Sequence, residues 1–363
     1  MAAKITSVTA RALSIPFERP LITASFPIPA IDTVFVEMET DAGVRGHSWI
    51  FAFGRRRVGV LKAMVEDLAE LAVGEDPAMT ERLWRRMQKA VGFVGKQGIT
   101  ALGMSAIDTA CWDIAGKLAE QPVYRLLGGH ATEVEVYASS GLWLDRSRDD
   151  LAEEAHDFVE RGFGAVKMRA GLADEDEDVA RVRTVREAIG PDVKLMVDAN
   201  QAWTAKQAIR MADRLAEFDL CWLEEPLPHE DIDGYADVRE AIPMPLCTGE
   251  SNYLKSDFAR LLDAGVADFY MPDLMRMGGI TEMVKVVHLC EAYGATVTPH
   301  LFMEHSIHVA GSSPNVVWQE HQPWWEPILA EPVDLRDGVI HLSDRPGFGL
   351  AFDEAAVREF ELT

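Results

Sequence analysis

Lys194-Leu195-Met196-Val197-Asp198-Ala199-Asn200 and, 26 residues later, Leu220-Cys221-Trp222-Leu223-Glu224-Glu225-Pro226 share one pattern. Each is an apolar run the length of one strand, closed by a carboxylate. Working outward, the same form recurs at Glu133–Ala138, Ala165–Met168, Pro245–Cys247, Phe269–Met271, Thr296–Thr298 and Val316–Trp318. Amphipathic helical segments stand between most of these runs: 149–161, 176–189, 206–218 and 281–293. Strand and helix in alternation imply a parallel sheet, because parallel neighbours need a crossover. Eight such strands close most simply into a (β/α)8-type barrel. The stretch after about Pro327 has turn signals and no clear helix to complete the eighth unit.

Polar residues fall where the runs end. Asp198, Glu224, Glu250, Asp273, His300 and Glu320 follow at intervals of 26, 26, 23, 27 and 20 residues, about one strand–helix unit each. The C-terminal strand ends of a parallel barrel open on one face, so these side chains are expected to converge there. Asp198, Glu224 and Glu250 are three oxygen donors on successive strands, suited to a hard divalent cation. Without one, three carboxylates at a point repel one another. His300 ends a strand next to the one ending in Asp273, and such a carboxylate fixes an imidazole's tautomer and stabilises its protonated form. Lys167 and Arg169 lie two apart on one strand and share its inward side. They are expected to hold a substrate carboxylate or remove a proton.

The region before the barrel reads as α+β. Residues 5–15 and 33–40 alternate like strands, 16–30 and 49–57 read as loops, and 58–73, 80–90 and 98–118 read as helices. The 363 residues include 48% hydrophobic and 26% charged residues, ordinary for a globular chain of two domains. Lys and Arg total 35 against 59 Asp and Glu, a net charge of -24. That balance argues against binding nucleic acid or anionic membranes. Four widely spaced cysteines show no zinc or disulfide pattern, the first residues lack a signal-peptide core, and no run is long enough to span a membrane. A cytoplasmic protein is expected.

Taken together, the motifs resemble the enolase superfamily, in its mandelate racemase subgroup (the mandelate racemase/muconate lactonizing enzyme family). The resemblance rests on Lys167-Met168-Arg169, Asp198-Ala199-Asn200, Glu224-Glu225-Pro226, Thr248-Gly249-Glu250 and Pro272-Asp273. Gly278-Gly279, His300-Leu301-Phe302, Trp318-Gln319-Glu320, Gly46-His47-Ser48 and the run from Ala106 to Asp113 complete it. It implies an α/β fold: a modified TIM barrel, (β/α)7β, over residues 129–326, under an N-terminal α+β capping domain, 1–128, completed by the C-terminal segment 327–363. It implies Mg²⁺, with Mn²⁺ as the alternative, on Asp198, Glu224 and Glu250. It implies His300 as a base oriented by Asp273, Glu320 as a protonated electrophile, and Lys167 beside the substrate carboxylate. Ser139 and Asn200 match substrate-contacting positions. Ile22, Phe26, Trp49 and Phe53, with Phe51, would form a partly apolar lid. Arg55-Arg56-Arg57 reads first as a solvated loop or subunit contact and otherwise as reaching a second carboxylate, as in a diacid; Trp324-Trp325 reads as packing or subunit interface. A homo-oligomer, octamer or dimer, is implied.

One residue departs from the family pattern. Where the family carries a second lysine, the base on the opposite face, this chain has Arg169. A guanidinium is a poor base and a good bidentate clamp. Racemisation needs a base on each face, whereas dehydration needs one base for the α-proton and an acid for the leaving hydroxyl. Dehydration of a sugar acid to a 2-keto-3-deoxy acid is therefore the leading expectation. The alternatives are a racemase, epimerase or cycloisomerase of a 2-hydroxy acid, and a barrel that only binds.

Overall fold

A computed structural model describes residues 2–22 and 27–362. The chain begins with an antiparallel sheet of β1 (Ile5–Ile22), β2 (Pro27–Thr40) and β3 (Arg45–Ala52), in that order. Much of the expected loop 16–30 is strand. Pro16 pairs with Ala30, Leu21 with Ile28 and Ile22 with Pro27, across a register shift between Pro16 and Leu21. The prolines fit because they lie at that irregularity, and β3 pairs with β2 only from Asp32 onward. Trp49 to Ala52, also expected as loop, belong to β3, and Arg55 to Arg57 form the first turn of α1 (Arg55–Ala72). After α2 (Thr80–Ala90) comes α3 (Ile99–Leu118), buried on most of its circumference, as its apolar composition requires. The short α4 (Val123–Leu126) follows.

The barrel then runs β4 (Glu133–Ala138), α5 (Arg148–Glu160), β5 (Ala165–Arg169), α6 (Glu175–Ile189), β6 (Lys194–Asp198), α7 (Ala205–Leu215) and β7 (Leu220–Glu224). It continues through α8 (Ile232–Ala241), β8 (Leu246–Thr248), α9 (Leu254–Ala264), β9 (Phe269–Tyr270), α10 (Ile280–Ala292), β10 (Thr296–Val297), α11 (Met303–Ala310) and β11 (Gln319–His321). Strands β4 to β10 pair in sequence order, all parallel, and β11 pairs with β4. A bridge from Val297 to Val316 closes the ring. Eight strands with a helix after each of the first seven make a (β/α)7β barrel. The last strand lies three residues beyond the expected Val316–Trp318. Trp318 instead packs on Trp222 and Phe269 inside the barrel, and pairing with β4 begins at Gln319.

Alternation along the strands builds the interior in layers. Tyr137, Ala165, Met196, Trp222, Cys247 and Met271 form a closed apolar layer. Two residues further along, Ser139, Lys167, Asp198, Glu224 and Asp273 point the same way, one level nearer the open end. The apolar floor keeps water from reaching these groups from below.

Asp108 and Asp113, which break the apolar run of α3, fasten the domains together. Asp108 accepts from the Thr281 backbone N–H (2.9 Å) and hydroxyl (2.6 Å) at the start of α10. Asp113 accepts from the backbone N–H of His47 and of Phe348 and pairs with Lys117. The C-terminal segment does more than complete the cap. Its hairpin β12 (Leu335–Arg336) and β13 (Val339–His341) pairs antiparallel with β4, and only then does α12 (Glu354–Glu359) lead back to β1. There Ser14 N–H donates to the Phe360 carbonyl and Leu362 N–H to that of Ala12.

Candidate active site

A cavity of about 90 Å³ lies at the C-terminal mouth of the barrel, under the cap. Lys167, Arg169, Asp198, Asn200, Glu250, His300 and Glu320 line it, together with Phe53 just after β3. Glu224 lies just beneath, fully buried.

The basic groups are held differently. Lys167 Nζ is 2.5 Å from Glu224 Oε1 and 3.0 Å from Glu320 Oε1. Burial opposes its charge, but Glu224, Glu320, Tyr137 and Asp198 outweigh that and hold the amine protonated, well above the usual lysine range. Arg169 donates from Nη1 to the Ser139 carbonyl (2.8 Å) and from Nη2 to its Oγ (2.9 Å), and its guanidinium stacks on Trp143 at 4.1 Å. His300 Nδ1 is 2.7 Å from Asp273 Oδ2, and Asp273 is itself oriented by the Arg276 N–H. The other ring nitrogen, Nε2, is 3.2 Å from Glu250 Oε2. Burial lowers the imidazole, but Glu250, Glu320 and Asp273 more than reverse this and raise it to about 9. His300 therefore carries a proton while Glu250 lies beside it.

Glu320 is held at both carboxylate oxygens. Its Oε1 accepts from Ser139 Oγ (2.6 Å) and its Oε2 from the Leu301 N–H (2.9 Å). Burial favours its neutral form, but Lys167, His300 and Arg169 pull it below the usual carboxylate range.

Among the described residues, no three His, Cys, Asp or Glu side chains stand close enough together to ligate one ion as they are placed. Each of the three expected ligands leans on a different partner. Asp198 accepts from the backbone and side-chain amides of Asn200, Glu224 from Lys167 and the Trp222 indole, and Glu250 faces His300. Burial, then the neighbouring carboxylates, raises Asp198 and Glu224, against Lys167. The donor chemistry fits a hard divalent cation: oxygen ligands on adjacent strand ends whose mutual repulsion a cation would relieve. Glu225 supports this side. It accepts from Gln201, Thr248, Gly249 and Ser251, tying the turns that carry Asn200 and Glu250.

Of the lid residues, Phe53 reaches the cavity. Trp49 is buried instead between His305, Trp325 and Phe352, because it lies inside β3 and faces the domain junction. Phe51 likewise packs on Trp325 and Phe302. Ile22 pairs with Pro27 at the end of the hairpin and is not among the lining residues. Phe26 lies outside the described residues. Trp324 lines the cavity while Trp325 is packing, so that pair divides its roles. Ile28, Trp143, Leu301 and Gln322 also line it and were not anticipated. Gln322 was legible, since it follows Glu320 by two on the same strand side.

Two family models match the chain. The mandelate racemase / muconate lactonizing enzyme N-terminal domain covers residues 5–128, and an enolase C-terminal domain-like model covers 150–356. The chain belongs to the mandelate racemase / muconate lactonizing enzyme family. A relative named L-talarate/galactarate dehydratase, from Salmonella typhimurium LT2, is 34% identical over 93% of this chain and 84% of its own. A D-galactarolactone cycloisomerase from Agrobacterium fabrum is 33% identical over 99% of each. A crystallised enolase from Bradyrhizobium, complexed with magnesium and mandelic acid, is 37% identical, with a TM-score of 0.94 over 100% of this chain and 99% of that one.

Proposed function

We propose that this family member removes the proton α to the carboxylate of a sugar acid and expels the β-hydroxyl, giving a 2-keto-3-deoxy acid. The observation that carries this reading is the one-sidedness of its bases. Strands β5 and β10 are three apart around the ring by the shorter way, so their end residues face one another across the mouth. On the β10 side stands the His300–Asp273 pair. On the β5 side Lys167 is tied between Glu224 and Glu320, and Arg169, a guanidinium and so a poor base, is fixed on Ser139 and Trp143.

His300 Nε2, in the unprotonated form that results when Glu250 no longer faces it, takes the C2 proton, and the electron pair passes into the carboxylate as an enediolate. Its collapse breaks the C3–O bond, and the hydroxyl leaves as water with the proton from His300. The enol left behind ketonises. Lys167 offsets charge on the substrate carboxylate, and Glu320, with Ser139 and Asn200, positions its oxygens. Asp198, Glu224 and Glu250 would hold Mg²⁺, or Mn²⁺, which when bound supplies electrophilic neutralisation of that carboxylate. We place the enzyme in the cytoplasm, in keeping with four unpaired cysteines, as a homo-oligomer; Phe93 and Val94, exposed on the cap, favour contact between copies.

The test is incubation with Mg²⁺ and a panel of 2-hydroxy and sugar acids in D₂O, read by mass. Loss of water with a keto-acid product is expected. An acid that gains deuterium, keeps all its atoms and yields no keto acid would instead mean racemisation, epimerisation or bare exchange. That second reading draws on the cycloisomerase relative and on the mandelic acid bound to the Bradyrhizobium enolase.

A further inference from the structure

The cavity has a charged side and an apolar side. Ile28 from β2, Phe53 after β3, Trp143 after β4 and Trp324 after β11 make the apolar side. Leu21, Ile28 and Trp143 form one buried cluster, with Phe17, Phe53 and Trp324 packed against it. The hairpin of the cap thus closes over the barrel with hydrocarbon. Among the described lining residues the basic groups are Lys167, Arg169 and His300. All three are engaged with the carboxylates or with Ser139. Of the cap's arginines, Arg19 pairs with Asp145 (3.4 Å) and Arg57 donates to the Phe53 carbonyl (2.6 Å), while Arg55 and Arg56, exposed on the first turn of α1, are not among the lining residues.

Resting on the proposed dehydration, we infer that the substrate is a monocarboxylate whose end remote from C1 carries no charge. It is an aldonic acid, best with a deoxy terminus, and not an aldaric diacid such as galactarate. A second carboxylate against Phe53 and Trp324 would lose its hydration and gain no cation. A methyl or C–H face in the same place gains from leaving water and from contact with the indole.

The test compares a hexonate, a 6-deoxyhexonate and a hexarate, in each C2,C3 configuration. Binding to the Mg²⁺-loaded enzyme is measured by calorimetry, and turnover by keto-acid formation. The best monoacid is expected to bind roughly 100-fold more tightly than the matching diacid, with the deoxy acid at least equal to its parent. A diacid that binds within about tenfold of the monoacid, or more tightly, overturns the inference whatever the turnover. Tight monoacid binding without loss of water leaves the inference standing and removes the dehydratase reading. No binding by any of the three at millimolar concentration overturns both.

Discussion

Replacing Arg169 by Lys restores the residue that the family pattern carries on the face opposite His300. The structure states what is lost. Arg169 makes two charged hydrogen bonds to Ser139, at 2.8 and 2.9 Å, and stacks on Trp143 at 4.1 Å. A lysine keeps the charge and can keep one of the two bonds. The lost charged hydrogen bond and the weakened stacking together come to roughly 2–4 kcal/mol. Ser139 also donates to Glu320 at 2.6 Å, so the loss is felt where the substrate carboxylate is held. Falling on the transition state, it lowers kcat/KM for water loss by about 30- to 1000-fold. The same change adds an amine able to lose its proton on that face. In D₂O the wild type should wash deuterium into one C2 epimer only, and the Lys variant into both as pH rises. The assay is proton NMR of recovered substrate beside keto-acid formation. Deuterium in both epimers with Arg169 intact would refute the reasoning, because a second base would then exist without the lysine.

His300→Asn should lower turnover by at least about 100-fold while Mg²⁺ binding, read by calorimetry, stays within a few-fold of wild type. Asp108→Ala leaves the Thr281 N–H and hydroxyl without their acceptor and should cost about 2–4 kcal/mol in urea unfolding, with kcat little changed in the folded fraction. Acid should destabilise the fold through His305 and His308, whose burial lowers them to about 3 and about 4. The unfolded chain takes up these protons near pH 6.5 and the folded one does not. Stability therefore falls as pH drops from 6.5 toward 4, by up to about 1.4 kcal/mol per pH unit for each imidazole. His305→Phe should flatten that limb in denaturant titrations at pH 5.

Much of the site was legible because a barrel makes it one-dimensional. Asp198, Glu224, Asp273 and His300 each follow an apolar run, and strand parity alone puts Lys167 and Arg169 on one side. Parity also explains Gln322. The lid was not legible. Trp49 and Phe53 are four apart on one hydrophobic stretch, and only where β3 ends decides that Trp49 stays inside the strand against Trp325 while Phe53, just past it, reaches the cavity. The prolines of 16–30 read as loop because the register shift that accommodates them depends on a partner strand.

By itself, then, the order of residues determined a (β/α)8-type barrel with no clear eighth helix, an α+β region before it and the identity of the acidic and basic groups at its mouth. These follow from periodicity and spacing, which are local. Tertiary structure decided the charge each group carries and the company it keeps. Glu320 is pulled below the usual carboxylate range because Lys167, His300 and Arg169 arrive from other strands, and His300 is raised because Glu250, Glu320 and Asp273 do. The same holds for Trp143, which reaches Arg169 from another strand's loop, and for Trp324, which meets Phe17 and Phe53 only when the cap closes on the barrel. Ionisation and packing depend on distances between residues far apart in the chain, and those distances exist only once it has folded.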